Sequence, residues 1–300
     1  MGNEQMDEEI LIKYRKAGKI AKATREYGAS KIKEGVLLLD VAEDVEDFIF
    51  KQGGTPAFPI NLTINDAAAH FTPSHDDKMR FNRGDVVKID VGVHVDGYVG
   101  DTATTVEVGT HQWVDLIRST KEALDAAIGL MKPNTRLDDV GAAIQRIIEA
   151  FGFSPVENLT GHSMERYKLH AGLSVPNIMG NGSGTVKVDD VIAIEPFATN
   201  GAGMVDGKKS GNIYRLIRPR QIGSKELTAL IEHINKKYST LPFSERWCYK
   251  FDKKAKQHIR KLMKAGVLYS YPILRDIGEG IVAQSEHTLI ITEDGYEILT

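Results

Sequence analysis

The chain has 300 residues, 42% of them apolar and 26% charged, and a formal net charge of −3, which is enough apolar material for a full core in one large domain or two smaller ones. A single cysteine, Cys248, excludes an internal disulfide framework and thiolate-cluster metal sites, and it fits a reducing compartment. No basic-then-apolar leader opens the sequence, and runs such as VLLLDVA fall far short of the roughly 20 residues of a membrane span, so a soluble, cytoplasmic protein is expected.

In chain order, Asp7 precedes EEILIKYRKAGKIA, an acid-first, base-last stretch with Ile10, Tyr14, Ala17 and Ala21 on one stripe, which predicts a helix. A second helix is predicted from about Leu39 to Phe50 with Val41, Val45, Phe48 and Ile49 inward, stopped by Gly53 and Gly54. The segment TPAFPINLTINDAAAHFTPSHDD is punctuated by Pro and Asn and reads as loop and short strand. KIDVGVHVDGYVGD, residues 88–101, alternates as a hairpin: Val87, Ile89, Val91 and Val93 point one way, and Asp96-Gly97 turns. That pairing sets Asp101 opposite Gly92 and makes Asp90 and Asp101 diagonal neighbours, roughly 7–8 Å apart at the backbone. Two bare carboxylates in one place repel, so one takes a proton or a cation sits between them.

Two helices follow, Val114 to Met131 and Leu137 to Phe151, the second with Ile144, Ile147, Ile148 and Phe151 inward, separated by Pro133. VENLTGHSMERYKLHAG is strand-like and loop-rich and carries two histidines. Asp85 to Asp90 spans five residues, as does Asp190 to Glu195, and Asp90 to Asp101 spans eleven, as does Glu195 to Asp206; this suggests an internal repeat of two halves, each bringing an acidic strand to a shared site. From Lys208 to Lys264 the chain counts 16 Lys/Arg against 4 Asp/Glu, a compositional boundary. Here Ser224 caps KELTALIEHINKKY, with Leu227, Leu230, Ile231 and Ile234 inward. Asp252 caps KKAKQHIRKLMKAG, with Ile259, Leu262 and Met263 inward and Gly266 at its end. VLYSYPIL extends from it, and GIVAQSEHTLIITEDGYEIL closes the chain as a hairpin turning at Asp294-Gly295.

The acids and histidines in apolar or β contexts are Asp90, Asp101, His162, Glu195 and Glu286. Four carboxylates and one imidazole suit a pair of divalent first-row ions better than a structural zinc. Such a pair lowers the pKa of a water and polarises a carbonyl. Glu286 is followed by His287, and adjacent strand residues face opposite sides, so the residues alone leave the choice between them open. Asp206 fits the repeat and reads as a turn acid, and His75, His94, His111, His233 and His258 read as solvated or structural.

Four motifs in order, KIDVGVHVDGYVGD, GHSMERYKLH, AIEPF and SEHT, closely resemble the methionine aminopeptidases of the type II branch, over nearly all of the chain from Ile10 onward. The insert of roughly 60 residues between AIEPF and SEHT marks type II, and the compact N-terminus looks archaeal. The resemblance implies an α+β pita-bread (creatinase/aminopeptidase) fold, two pseudo-symmetric halves around a curved antiparallel sheet. It implies a catalytic domain over 1–207 and 272–300 and a basic, winged-helix-like helical insert over 208–271.

It also implies roles. Asp90, Asp101, His162, Glu195 and Glu286 match the ligands of two divalent metal ions (Co, Mn, Fe or Zn), with Asp101 and Glu286 bridging. His70 and His170 match histidines that contact the scissile peptide, and Glu195 doubles as a proton acceptor. Phe58, Leu169, Phe197 and Tyr271 match an apolar pocket for an unbranched thioether. Eukaryotic relatives have a pocket histidine near the start of the insert, where this chain reads SGNIYRL and has none.

The implied activity is removal of initiator methionine from nascent polypeptides with a small second residue. The alternatives are an X-Pro aminopeptidase or prolidase, which usually carries an additional N-terminal domain, and a non-catalytic RNA- or protein-binding relative. The basic insert reads either as a solvated face or as a patch for ribosomal RNA through its phosphates. Neither DNA nor membrane is expected as a partner.

Overall fold

The computed structural model describes residues 6–220 and 222–300. Helix α1 (Glu8–Lys31) begins where the Asp7 carboxylate accepts the Glu9 N–H at 2.8 Å, with Glu8 and Glu9 at the positive end of the helix dipole. It runs well past the expected stripe because Thr24 and Gly28 continue the buried line, Gly28 lying over Ile89 and Val45. Helix α2 (Leu38–Lys51) buries Leu38, Val41, Val45 and Ile49. Three short strands, β1 (Thr55–Pro56), β2 (Asn61–Ile64) and β3 (Ala67–Ala69), cross the punctuated segment.

Strands β4 (Val86–Val95) and β5 (Tyr98–Glu107) form the expected hairpin, paired without a break from Val86↔Glu107 to Val95↔Tyr98. Asp96 and Gly97 have φ of 53° and 89°, the left-handed pair that a two-residue I′ turn requires. Val87, Ile89, Val91 and Val93 are fully buried against α2, Ile60 and Leu62, so the opposite face of β4 presents Lys88, Asp90 and Gly92.

The second half repeats this plan with α3 (Val114–Ile128), α4 (Leu137–Ala150), β6 (Ser154–Pro155), β7 (Thr160–Met164), β8 (Ser174–Pro176), β9 (Val191–Ile194) and β10 (Phe197–Thr199). Leu137, Val140, Ile144 and Ile148 of α4 have no exposed surface, and at about 1.5–3 kcal/mol each this stripe holds the helix in place. Ile147 and Phe151 lie at its edge and are half-buried.

The basic segment contains β11 (Val205–Leu216), α5 (Lys225–Tyr238), β12 (Phe243–Ser244), α6 (Glu245–Cys248), α7 (Ala255–Lys264) and β13 (Leu268–Asp276). Its own core includes Leu230, Ile234, Phe243, Cys248, Ile259 and Leu262, yet β11 pairs with β13 from Val205↔Asp276 to Leu216↔Leu268, so its sheet continues into the main body. Ser224 caps α5 through the Leu227 N–H. Asp252 does not cap α7 as expected: the helix starts later, at Ala255, because one Asp252 oxygen takes the Lys254 N–H at 2.9 Å and the other pairs with the His258 Nδ1 at 2.6 Å.

The chain closes with β14 (Val282–Gln284), β15 (His287–Ile291) and β16 (Tyr296–Ile298). Strands run β16-β15-β9-β7-β8, all antiparallel. The halves meet where Ala103 and Glu286 exchange backbone hydrogen bonds and the Thr105 hydroxyl binds the Gln284 backbone at both its N–H and its carbonyl. This is the α+β pita-bread architecture. Asp85 accepts the Asn82 N–H at 2.8 Å and Asp190 accepts the Lys187 N–H at 2.7 Å, so the equal spacing before Asp90 and Glu195 corresponds to the same turn. The second interval has no such counterpart: Asp206 is no turn acid but an exposed strand residue paired with Lys208. No described helix is long and apolar enough to cross a membrane.

Candidate active site

The hairpin register places Asp101 opposite Gly92 and diagonal to Asp90. Strand β7 carries His162, paired with Ala193 of β9. Strand β15 pairs His287 with Ile194 in antiparallel register, which brings the residue before His287, Glu286, alongside the residue after Ile194, Glu195. His162 Nε2 lies 3.7 Å from Asp101 Oδ2 and 3.8 Å from Glu195 Oε1. One ligand atom each from Asp101, His162 and Glu286 falls within 4.8 Å of the others. Glu286, not His287, faces this centre; His287 Nδ1 turns to Thr300 Oγ1 at 3.0 Å and to Arg25 at 3.2 Å.

Asp90 Oδ1, Asp101 Oδ1 and Glu286 Oε2 are buried with no hydrogen-bond donor. Burial pushes the Asp90 carboxyl up to about 7, and burial together with the neighbouring carboxylates pushes Asp101 and Glu286 well above the usual range; Glu195 follows them for the same reasons. Four crowded carboxylates, three of them with a buried oxygen that has no donor, make a cluster whose ionised forms repel and which a divalent cation offsets. An all-oxygen set with one imidazole is the donor chemistry of first-row divalent ions, so these residues fit a metal.

Burial also pushes His162 down to about 3 and His70 down to about 4, and it lowers His170. All three imidazoles are therefore neutral at pH 7, each with one donor and one acceptor. The rings of His162 and His170 lie 4.4 Å apart, and His70 meets Tyr271 edge-on at 5.3 Å. His70 has φ of 67°, a left-handed conformation uncommon outside glycine. Its carbonyl presses on Gly211, where a Cβ would lie 1.5 Å from the oxygen, so only glycine fits beside this backbone.

A single cavity of about 210 Å³ collects Asp90, Asp101, His162, Glu195, Glu286, His70, His170, Phe58, Leu169, Phe197 and Tyr271. All eleven residues singled out from the sequence line it. A model of the family described as Metallopeptidase family M24 matches residues 12–293. The chain belongs to metallopeptidase family M24. A methionine aminopeptidase of Methanocaldococcus jannaschii is 44% identical over 295 residues, which is 98% of this chain and 100% of that relative. The solved methionine aminopeptidase of Thermotoga maritima superposes with a TM-score of 0.72 at 26% identity, over 98% of this chain and 97% of that one. A thermophilic Arx1 superposes with a TM-score of 0.87 at 17% identity, over 98% and 91%, a likeness of fold alone.

The candidate site has members that the sequence reading missed. Gln284, 1% exposed, donates from Nε2 to Glu195 Oε2 at 3.3 Å. Ile213 and Pro242, both from the basic segment, line the cavity, and Ile213, cross-paired with Tyr271, stands in the SGNIYRL wall that lacks a histidine. Asn61, paired with Asp90 across β2 and β4, also faces in. No periodicity singles it out, and its place beside Asp90 depends on the β2–β4 pairing, which leaves no local signal.

Proposed function

We infer that this M24 chain is a metal-dependent methionine aminopeptidase, which removes an initiator methionine from polypeptides whose second residue is small. One observation carries the reading: the convergent carboxylates, three of them with a buried oxygen that has no donor, and His162 lie in the same cavity as an apolar wall of Phe58, Leu169, Phe197 and Tyr271. Asp90, Asp101, His162, Glu195 and Glu286 would hold two divalent ions, which supply a water of lowered pKa and polarise the scissile carbonyl. Glu195, supported by Gln284, takes the proton. His70 and His170, neutral and partly sheltered, hydrogen-bond the leaving amide and the carbonyl oxygen. Phe58, Leu169, Phe197 and Tyr271 receive the unbranched side chain and leave the free α-amine toward the carboxylates, so cleavage is confined to the first residue.

We take 1–207 with 272–300 as the catalytic unit, 208–271 as the insert that completes the pocket wall, and the cytoplasm as the place of action. Lys253, Lys254 and Lys261 of the insert are exposed, which favours its association with ribosomal RNA; reversing their charge and Lys256's without loss of salt-sensitive co-sedimentation with ribosomes would refute that. The activity is tested by methionine release from Met-Gly-Met-Met and Met-Leu peptides, with metal-free protein and Co²⁺, Mn²⁺, Fe²⁺ or Zn²⁺ added singly. Metal-dependent cleavage of the first peptide alone is expected. No cleavage with any metal would discard the reading in favour of an X-Pro peptidase or a non-catalytic binding protein.

A further inference from the structure

Outside the cavity a buried charge links the main body to the basic insert: Glu46 of α2, which is 5% exposed. Its Oε1 accepts from the Ile60 N–H at 3.3 Å and from Arg246 Nη2, and its Oε2 accepts from Trp247 Nε1 at 2.7 Å. Arg246, 6% exposed, also donates to Thr72 Oγ1 at 3.2 Å and to Ser244 Oγ at 3.1 Å.

Each residue that this pair grips lies close in the chain to a wall of the candidate active site. Ile60 stands between Phe58 and Asn61. Thr72 follows His70 by two residues, and its N–H and C=O are bonded to Gly211 and to the Asn212 side chain. Ser244 follows Pro242 by two residues and pairs with Ile213. The two faces of the pocket, one from the main body and one from the insert, are thus joined through this ion pair, alongside the bonds of Thr72 to Gly211 and Asn212. Behind the pair a cleft of about 270 Å³, lined by Pro56, Tyr238, Trp247 and the pair itself, leaves room for the insert to shift if the pair is broken. A buried ion pair stabilises a fold little compared with apolar residues of the same shape, and its attested use is to fix a register.

We propose that Glu46 and Arg246 are positioning residues that set the width of the substrate pocket, and hence its preference for methionine as the first residue, acting through Ile60, Thr72 and Ser244. The inference rests on the aminopeptidase reading above. It is tested with Arg246→Met, with Glu46→Gln/Arg246→Met, which leaves no unpaired buried charge, and with Thr72→Val, which removes one hydrogen bond only. For each folded, metal-loaded variant, kcat and KM are measured on Met-Gly-Met-Met and Leu-Gly-Met-Met. Loss of one pocket wall's fit is worth roughly ten-fold or more, so Arg246→Met is expected to raise KM for the methionine peptide by about that factor and to lower the Met:Leu preference equally, with kcat changed much less. Thr72→Val moves the same two quantities in the same direction by less. An unchanged KM and Met:Leu ratio, or a fall in kcat alone that tracks lost active molecules, overturns the proposal. If Arg246→Met does not fold, the double variant is judged by the same criteria. Wild-type protein that cleaves neither peptide sinks the aminopeptidase reading itself, a result separate from these.

Discussion

Replacing Gln284 with leucine isolates the one protein donor that supports Glu195 among the described residues. The main chain at 284 is pinned by Thr105 Oγ1 through bonds of 2.8 and 2.7 Å, so the strand does not depend on the side chain, and leucine nearly keeps its volume. What is lost is the 3.3 Å bond from Nε2 to Glu195 Oε2, together with the downward pull of the amide on the carboxyls of Glu195 and Asp90. Hydrogen bonds to charged groups contribute about 1.5–3 kcal/mol, and a bond this long belongs at the lower end, near ~1.5 kcal/mol. That corresponds to roughly ten-fold weaker metal binding, the low side of the 10–100-fold that partners of metal ligands usually supply. Calorimetric titration of Mn²⁺ into metal-free wild-type and Gln284→Leu protein measures it, with the metal-free melting temperature as control. Equal metal affinities in the two proteins would refute the idea that Gln284 holds Glu195 ready.

Metal binding is expected to be pH-linked. The raised carboxyls of Asp90, Asp101, Glu195 and Glu286 hold protons in the metal-free native state at pH values where free carboxyls are ionised, and a cation must displace them. The gain in Tm on adding Mn²⁺ therefore grows from pH 6 to pH 8, because the native metal-free protein binds more protons than the unfolded chain and loses stability as pH rises through the folded values; a pH-independent gain contradicts this. Asp101→Asn removes one ionisable carboxyl from the cluster, so it should lower activity on the order of 10³-fold, the value of several kcal/mol of Lewis-acid stabilisation, while leaving the metal-free Tm unchanged or higher, because no buried carboxyl is left there to ionise. A marked drop in that Tm would show that the repulsion has been misjudged. His70→Ala should lower kcat by about 10²–10³-fold, as loss of an oxyanion donor does, with metal stoichiometry intact by elemental analysis; lost metal would move His70 from substrate contact to metal support.

The parts of the site that could be read in the sequence are those carried by local rules. Period-2 alternation plus an Asp-Gly turn fixes the β4–β5 register, and that register alone puts Asp90 and Asp101 together. The capped helices α1 and α5 and the apolar stripe of α4 are local in the same sense. Contacts that depend on how distant segments meet leave no such trace. Glu46 and Arg246 are 200 residues apart, and each by itself looks like a helix-surface charge. Gln284 is an ordinary polar strand residue until β14 is laid beside β10 and β5. The extension of α1 was hidden because its buried positions there are Thr24 and Gly28, which pack by being small. Asp252 has the composition of a cap, but His258 competes for its carboxylate. The eleven-residue interval to Asp206 was a coincidence of spacing, since the main chain passes from β10 into β11 instead of returning as a hairpin, and Glu286 from the C-terminal strands fills the corresponding place.

Gly92 shows how closely the strand that carries Asp90 and the Phe58 wall of the cavity are built together. Its φ is ordinary, so an alanine is conformationally acceptable there, and in most strands it would be preferred. Here a Cβ would lie 2.2 Å from Phe58 Cε1, far inside contact distance. Strand β4 cannot retreat: it is paired along its whole length with β5 and its other face is core. The Phe58 ring must move instead, and that ring lines the cavity. Overpacking costs about 1–3 kcal/mol, against which removal of a strand glycine returns roughly 0.5–1 kcal/mol, so Gly92→Ala should lower stability by no more than about 2.5 kcal/mol while substantially raising KM for Met-Gly-Met-Met. Because Asp90 and Asp101 keep their register, the metal content should not change. Adding Phe58→Leu to Gly92→Ala frees the space, and a partial return of KM would assign the defect to the ring. If KM stays at the wild-type value in Gly92→Ala, Phe58 does not form the wall that the first side chain touches.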